Sequence, residues 1–218
     1  MNVEPGELLA IIGPSGVGKT TILRMINGLL SPDSGLVSVL GSPLKYHNNE
    51  DLGVRRRMAM IAQKPIAFRS TVWENIAYPL MIRGEGGVEE RIEHALKSVG
   101  LQTVTEQPAT ALSGGELQRM AFARATVYNP DILLLDEFTA HLDPYNIKVL
   151  EDAVLSYQKE RNATIVMVTH NLFQAKRISS SSAFLLDGNI VEKNVTQKIF
   201  NDPEDTRTGA FVRGEMVF

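Results

Sequence analysis

The strand-like run Leu8–Ile12 (LLAII) leads directly into the loop Gly13–Thr20 (GPSGVGKT), and the helix-forming stretch Lys19–Leu30 follows. Continuous apolar residues are typical of a parallel strand that is buried on both faces. The loop fits G-x-x-x-x-G-K-[ST], in which glycines let backbone N–H groups wrap round a polyphosphate. The helix after it adds the positive end of its dipole. The stretch therefore predicts a nucleotide-binding loop; the alternative is a glycine-rich turn that matches by chance.

Further along the chain, strand-like and helix-like patterns alternate. The apolar runs of strand length are Met58–Ala62, Ile132–Leu135, Thr164–Val168 and Ala183–Leu186. Val88–Val99 has a 3.6-residue apolar period that ends at Gly100, and Pro144–Arg161 opens with Asp143 as its predicted N-cap. Strands that alternate with helices predict an α/β fold with a mostly parallel sheet.

One part of the chain departs from this alternation. Residues 63–130 are mainly helical and hold no comparable strand run, so we expect a helical subdomain inserted into the sheet-bearing core. The predicted organisation is a single domain of residues 1–218, with residues 1–62 and 131–218 as the core. The serine-rich patch Ser179–Ser182 is expected to be a helix end and a turn.

Composition limits the possible functions. The chain has 218 residues, no cysteine and a formal net charge of −3. Disulfide scaffolds, thiolate metal sites and cysteine nucleophiles are therefore excluded, and no nucleic-acid partner is expected of an acidic chain. Arg55–Arg57 is interpreted as a solvated surface rather than a basic binding patch. No apolar run approaches the roughly 20 residues of a spanning helix, so we expect any membrane contact to run through a partner chain.

A pair of carboxylates follows the strand Ile132–Leu135. Asp136 and Glu137 stand at the end of that strand, where ligands bind in open α/β sheets. Asp136 is a candidate Mg²⁺ ligand beside the Thr20 hydroxyl, and Lys19 is placed to reach the β- and γ-phosphates. Glu137 is a candidate base for an attacking water. Alone, an Asp-Glu pair is more often a solvated loop start; together with the glycine-rich loop it completes a Mg-nucleotide site.

A second candidate anion site lies in the helical stretch. Ser113 and Glu116 have the spacing of a capping box for a helix that runs to about Val127. A well-capped helix is the simpler interpretation. Gly114 and Gly115, however, leave the N–H groups of the first turn accessible to an anion. One chain would then carry two phosphate-facing surfaces, which suggests that surfaces of these two kinds must come together.

These motifs carry a family resemblance that spans nearly the whole chain. Leu112–Arg119 (LSGGELQR) resembles the signature motif of ABC-type ATPases, and residues 13–20 and 132–137 are similar to that family's Walker A and Walker B motifs. The family's Q-loop glutamine, D-loop aspartate and switch histidine are matched, in the family's order, by Gln63, Asp143 and His170. His47, His94 and His141 are interpreted as structural or surface residues.

The resemblance implies a P-loop NTPase fold with a RecA-like core, and a head-to-tail homodimer that sandwiches two ATP molecules. Glu137, His170, Lys19 and Gln63 would serve catalysis, and Thr20, Gln63 and Asp136 would serve Mg²⁺. Lys19 and Thr20 of one copy would face Ser113 and Gly115 of the other. The implied nucleotide contacts are Gly13, Pro14, Ser15, Gly16, Val17, Gly18, Lys19, Thr20, Thr21, Ser113, Gly114, Gly115 and Asp143.

The sequence departs from the family pattern at two places. Only twelve residues precede Gly13 and none is aromatic, whereas the family begins with antiparallel strands that carry an adenine-stacking aromatic residue. We therefore expect a shortened N-terminal antiparallel edge and an ATP affinity that is weaker by roughly one or two decades. Phe138 stands where the family more often has proline, which puts the shape of the loop after Glu137 in question.

The resemblance is closest to separate-chain ATPase subunits of importers. It implies permease subunits as partners, an extracytoplasmic solute-binding protein as an indirect partner, and a place in the cytoplasm on the inner membrane face. The family docks its permease near Phe68–Ile76, where Phe68 and Trp73 are candidate anchors and, alternatively, core residues.

The transported solute is less defined. Residues 203–215 resemble ATPase subunits of oxyanion importers, especially the tungstate type, while phosphate, molybdate and polar amino-acid systems stay open. Two other functions are considered: a soluble ABC ATPase acting on nucleic acid or the ribosome, and a subunit that binds ATP without hydrolysing it. Those soluble proteins usually carry long coiled coils or tandem cassettes, and neither is visible here.

Overall fold

The computed structural model describes residues 1–46 and 51–216. Its main sheet has six strands in the order β4-β5-β6-β1-β7-β8, and a separate antiparallel pair joins β2 to β3. The strands are β1 (Leu8–Ile12), β2 (Ser38–Val39), β3 (Ser42–Pro43), β4 (Met58–Ile61), β5 (Ile132–Asp136), β6 (Thr164–Val168), β7 (Ser181–Leu186) and β8 (Asn189–Val195). All pairings in the main sheet are parallel except that of β7 with β8. The predicted mostly parallel α/β fold is confirmed.

Helices lie in most connections between the strands and after the last strand. They are α1 (Lys19–Ile26), α2 (Leu52–Arg55), α3 (Val72–Met81), α4 (Val88–Ser98), α5 (Gly114–Thr126), α6 (Pro144–Arg161), α7 (Leu172–Ile178), α8 (Thr196–Asn201) and α9 (Thr206–Val212). Helices α3 to α5 lie between β4 and β5, in the stretch expected to be helical; the division into a core and a subdomain stays a prediction. Among the described residues, no helix combines the length and apolar character needed to cross a bilayer.

The central strand β1 explains why its sequence is continuously apolar. Leu8, Ala10 and Ile12 face one hydrophobic core, which they share with residues of α3 to α7. Leu9 and Ile11 face a second core on the other side of the sheet, against α1 and β2. Each fully buried side chain of this size contributes roughly 1.5–3 kcal/mol of hydrophobic stabilisation. The loop that follows β1 is therefore attached to a strand that is buried at every position.

Two expected boundaries were wrong. Helix α1 ends at Ile26 rather than Leu30, with Asn27 as its C-cap. The serine patch is not only a helix end and turn, because Ser181 and Ser182 belong to β7 and pair with β1. The hydroxyl of Ser182 lies 2.9 Å from that of Thr196, and this partner lets a polar side chain be buried in a central strand.

The strand order gathers the predicted site residues at one edge of the sheet. β4, β5, β6 and β1 are consecutive parallel neighbours, so their carboxyl ends lie side by side at about 4.8 Å spacing. Gln63, Glu137, His170 and Gly13 each follow one of these ends. This is the edge at which open α/β sheets bind ligands.

Candidate functional site

The glycine-rich loop is shaped by close backbone contacts. A Cβ on Gly13 would lie 2.2 Å from the backbone oxygen of Leu185, so no side chain fits there. Gly18, the N-cap residue of α1, has a φ of 104°, which favours glycine. Its lack of a side chain also leaves the first N–H groups of α1 without a side-chain cap. These donors and the helix dipole point to an anion.

Lys19 lies inside the loop and is only 5% exposed. Its Nζ donates to the carbonyl oxygens of Gly13 at 2.7 Å and Pro14 at 2.6 Å. Burial lowers the pKa of Lys19, while the negative charges of Glu137 and Asp136 act in the opposite direction. The ammonium group is thus held by neutral carbonyl oxygens at the place where phosphate oxygens would offer negatively charged and therefore stronger partners.

Thr20 and Asp136 join the loop to the end of β5. The Thr20 hydroxyl donates to Asp136 Oδ1 at 2.9 Å. Burial raises the pKa of Asp136 and the neighbouring Glu137 charge raises it further, whereas the Thr20 hydrogen bond lowers it. The described residues contain no cluster of three or more His, Cys, Asp or Glu side chains that could hold a metal alone. A hydroxyl and one carboxylate fit Mg²⁺, which prefers oxygen ligands and takes the rest from phosphates and water.

Glu137 is held from two sides. Gln63 Nε2 donates to its Oε2 at 2.9 Å, and His170 Nδ1 lies 3.3 Å from the same oxygen. The side chain of Glu137 is 20% exposed, so it is oriented but reachable by water. Phe138, the departure from the family pattern, is 1% exposed and anchors this loop in the core. The arrangement can orient a water molecule and accept its proton.

The turn at the start of α5 has the predicted capping box. Glu116 N donates to Ser113 Oγ at 3.4 Å, and Ser113 N donates to Glu116 Oε2 at 2.9 Å. The Ser113 hydrogen bonds lower the pKa of Glu116. Ser113 and Gly114 are exposed, whereas Gly115 is buried. The exposed part of the turn can meet a second molecule.

Asn146 contacts Gly115 and Asp143, and the sequence did not predict either contact. A Cβ on Gly115 would lie 2.4 Å from Asn146 Cγ, so the Asn146 amide covers this glycine. Asn146 Nδ2 donates to Asp143 Oδ2 at 2.5 Å, and this bond is the main reason that the pKa of Asp143 is lowered. Asp143 is also the N-cap of α6, as predicted. The only sequence signal for Asn146 is its position three residues after that cap.

The residues of the candidate site thus fall into two sets. One joins Lys19, Thr20, Gln63, Asp136, Glu137 and His170; the other joins Ser113, Gly115, Asn146 and Asp143. Within residues 1–46 and 51–216, no hydrogen bond or ion pair connects residues 13–21 to residues 112–116. Ser15 and Gly16 are exposed on the loop, and Thr21 is exposed in α1. His94 and His141 are exposed as well. His47 lies outside the described residues.

Comparison with known proteins places these motifs in context. The profile of a family described as "ABC transporter" matches residues 1–140. The phosphate import ATP-binding protein PstB 2 of Natronomonas pharaonis is 41% identical over 99% of this chain and 80% of its own length. A probable anion import ATP-binding protein of Haloferax volcanii is 38% identical over the same shares.

Solved structures share the fold. The dimeric bacterial ABC transporter cassette MJ0796 superposes with a TM-score of 0.82 at 29% identity, over 90% of this chain and 88% of its own. The same cassette in a dimeric post-hydrolysis state, bound to ADP and Pi, gives a TM-score of 0.81 at 29% identity over the same shares.

Proposed function

This chain belongs to the ABC transporter family, and from that premise we propose that it is the ATP-hydrolysing subunit of an oxyanion import system. It is an ABC-type ATPase. The observation that supports the catalytic assignment most strongly is the Glu137 carboxylate, held between Gln63 and His170 at the same sheet edge as Lys19. A base, its orienting partners and a phosphate-binding cation stand together there.

Each residue has a defined task in the proposed reaction. Lys19 exchanges its carbonyl partners for the β- and γ-phosphate oxygens of ATP. Glu137 accepts a proton from water as the water oxygen forms its bond to the γ-phosphorus and ADP leaves. Gln63 and His170 hold Glu137 and its water in line. Thr20 and Asp136, with Gln63 nearby, would hold Mg²⁺, which supplies charge neutralisation on the phosphates.

Two copies complete each nucleotide site in this proposal. The exposed Ser113 and Gly114 of one copy cap the ATP that is bound by the loop of the other. Two facts support this: the phosphate loop and the capped turn share no hydrogen bond within the described chain, and the related cassette MJ0796 is dimeric. The symmetry of such a pair makes both sites equivalent.

An exposed apolar patch supports docking to membrane permease subunits. Its members are Ile66, Phe68, Tyr78, Met81 and Ile82, all between 44% and 73% exposed. Phe68 and Tyr78 lie with ring centroids 4.9 Å apart, and the Arg124 guanidinium is 5.0 Å from the Phe68 ring. Trp73 is partly buried against the hydrophobic core, so Phe68 is the better candidate anchor. The proposed location is therefore the cytoplasmic face of the cell membrane.

Phosphate is the first solute to test. The relatives are named for phosphate or anion import, and none of those named above supports tungstate. A solute-binding protein outside the membrane would select the anion. The direct test is uptake of labelled phosphate and labelled tungstate by cells that lack this protein and by cells that carry it again. Restored phosphate uptake supports the proposal; restored tungstate uptake alone would return the solute to the tungstate type.

The hydrolysis step has its own test. Glu137→Gln removes the proton acceptor but keeps the shape, so kcat should fall by about 10³-fold or more while ATP binding persists. Unchanged turnover would remove Glu137 from its catalytic role. Binding to ribosomes or DNA, with no association with a permease, would instead favour the soluble ATPase alternative.

A further inference from the structure

A buried polar network lies beneath the catalytic edge, and Gln174 is at its centre. Gln174 is fully buried. Its Nε2 donates to Thr139 Oγ1 at 2.8 Å and to Glu151 Oε1 at 3.1 Å, and its Oε1 accepts from Thr169 Oγ1 at 3.0 Å. One side chain therefore joins α6, α7 and the loops that follow β5 and β6.

The chemistry of the partners fixes the orientation of the Gln174 amide. Glu151, which is 3% exposed, receives two hydrogen bonds from Arg177, at 2.7 Å from Nε and 2.6 Å from a terminal nitrogen. A carboxylate only accepts, so it must face the NH₂ end of Gln174. The oxygen end is then left for Thr169. Glu151 thus accepts hydrogen bonds from both Arg177 and Gln174, while Gln174 also donates to Thr139 and accepts from Thr169.

Both threonines adjoin groups of the proposed reaction. Thr169 directly precedes His170, and its hydroxyl also accepts from Asn171 N at 3.0 Å. Thr139 lies two residues after Glu137, in a turn closed by Ala140 N donating to Glu137 O at 2.9 Å. Glu137 has a φ of 45°, a conformation that non-glycine residues adopt only when the surroundings enforce it. The turn therefore needs an anchor, and Gln174 provides one.

We propose that Gln174 is a positioning residue that holds the Glu137 turn and the His170 loop in fixed relation to each other during ATP hydrolysis. The proposal rests on the proposed function of Glu137 and His170. Gln174 lies behind both loops and acts only through Thr139 and Thr169. Its loss should therefore slow the chemical step and leave nucleotide binding at the glycine-rich loop nearly unchanged.

The first test is Gln174→Met, which fills a similar volume without hydrogen bonds. Its kcat should fall by about 10- to 100-fold, because small misplacements of reacting groups cost that much, while KM for ATP changes less than about twofold. The matched control is Tyr157→Phe, which removes one buried hydrogen bond from α6 to Pro130 O; Tyr157 makes none of the hydrogen bonds of the network. The control should keep kcat. Equal kcat in Gln174→Met and wild type would overturn the proposal.

A second pair of variants tests the route through Thr139. Thr139→Ser keeps the hydroxyl and should keep kcat, whereas Thr139→Val removes it and should lower kcat about tenfold. Because both changes break the same link, Thr139→Val combined with Gln174→Met should be no slower than Gln174→Met alone. Multiplying losses in the double variant would show that the two residues act independently and would contradict the proposal.

A third measurement does not depend on turnover. Hydrogen exchange of the nucleotide-free protein should become faster in residues 137–141 and 169–172 of Gln174→Met, and stay unchanged there in Tyr157→Phe. If wild type fails to hydrolyse ATP, the proposed function fails, and this measurement still decides the role of Gln174. Unchanged exchange in both loops would overturn the inference on its own.

Discussion

The two helix N-termini proposed to meet at ATP are built differently. The N-cap residue of helix α1 is Gly18, which provides no side-chain cap, so the first N–H groups of the helix can bind an external partner. The N-cap residue of helix α5 is Ser113, whose capping box with Glu116 already provides partners for some of the N–H groups at this helix end. The first terminus is a phosphate site within one chain; the second is a stable, exposed surface.

This difference suggests an order of events. An uncapped terminus beside a buried lysine binds a polyphosphate by itself, since hydrogen bonds to negatively charged phosphate oxygens replace weaker ones to neutral backbone carbonyls. A capped terminus gains less from an anion and offers mainly its exposed Ser113 and Gly114. ATP should therefore bind first to the loop of one copy, and the second copy should close over a nucleotide that is already held.

The largest effect is expected from the loop. Lys19→Ala removes the cation that faces the phosphates, and ATP affinity should fall at least about 100-fold, in line with hydrogen bonds to charged groups of roughly 1.5–3 kcal/mol each. Titration calorimetry with Mg-ATP measures this affinity. Ser113→Ala is the matched control, because the comparison predicts less than about threefold loss of affinity for a single copy. Equal losses of ATP affinity in the two variants would contradict the predicted difference between the two helix N-termini.

Gly115→Ala should separate hydrolysis from binding. The added Cβ would lie 2.4 Å from Asn146, which must move and thereby disturb Asp143. We expect kcat to fall about tenfold or more, while ATP affinity of the single copy stays the same. Asn146→Ala in the same chain provides space for the new methyl group. Because Asn146→Ala alone also removes the hydrogen bond to Asp143, the double variant should be no slower than Asn146→Ala alone; a further loss of kcat would show that the Gly115–Asn146 contact is not the cause.

Ser113→Ala should also lower stability. Loss of an N-cap side chain costs typically about 1 kcal/mol, which for a domain of this size lowers Tm by roughly 2–4 °C. Gly18 provides no side-chain cap, so a substitution there cannot lower Tm through the loss of a cap. Differential scanning calorimetry without nucleotide provides the measurement. A Tm equal to wild type would mean that the capping box contributes nothing to the stability of α5.

The smallest effect concerns Asp136 and pH. Its folded-state pKa is raised, mainly by burial, so the folded protein binds this proton more tightly than the unfolded chain does. The corresponding stabilisation is complete below the unfolded pKa and is lost as pH rises through the folded pKa. At neutral pH, the always-neutral Asp136→Asn should therefore raise the Tm of the nucleotide-free protein by about 1–3 °C. This gain in Tm should shrink as the pH is lowered through the folded-state pKa of Asp136. A gain in Tm that grows on acidification would contradict a raised pKa.

Much of the fold could be predicted from the sequence, and the reasons are local. Leu8–Ile12 is apolar at every position because both faces of β1 are covered, and Ser113 with Glu116 forms a cap within one turn. The strand ends at Gln63, Glu137 and His170 could be placed at one edge because parallel strands end together. Their proposed roles stay predictions.

What the sequence could not provide depends on residues far apart in the chain. Gln174 meets Thr139 and Glu151 across 35 and 23 positions, and nothing in its neighbours signals these contacts. Asn146 over Gly115 is of the same kind. Ser181 and Ser182 were misassigned because their strand is set by pairing with β1, not by local propensity.

Mixing two inactive variants tests the central claim most directly. Lys19→Ala damages only the loop half of a site, and Ser113→Arg damages only the exposed turn. If each site is shared between two copies, a mixed pair keeps one intact site, formed by the loop of the Ser113→Arg copy and the turn of the Lys19→Ala copy. ATP hydrolysis should therefore reappear on mixing, at about a quarter of the wild-type rate for random pairing of independent sites. A mixture as inactive as its two components would contradict the shared site.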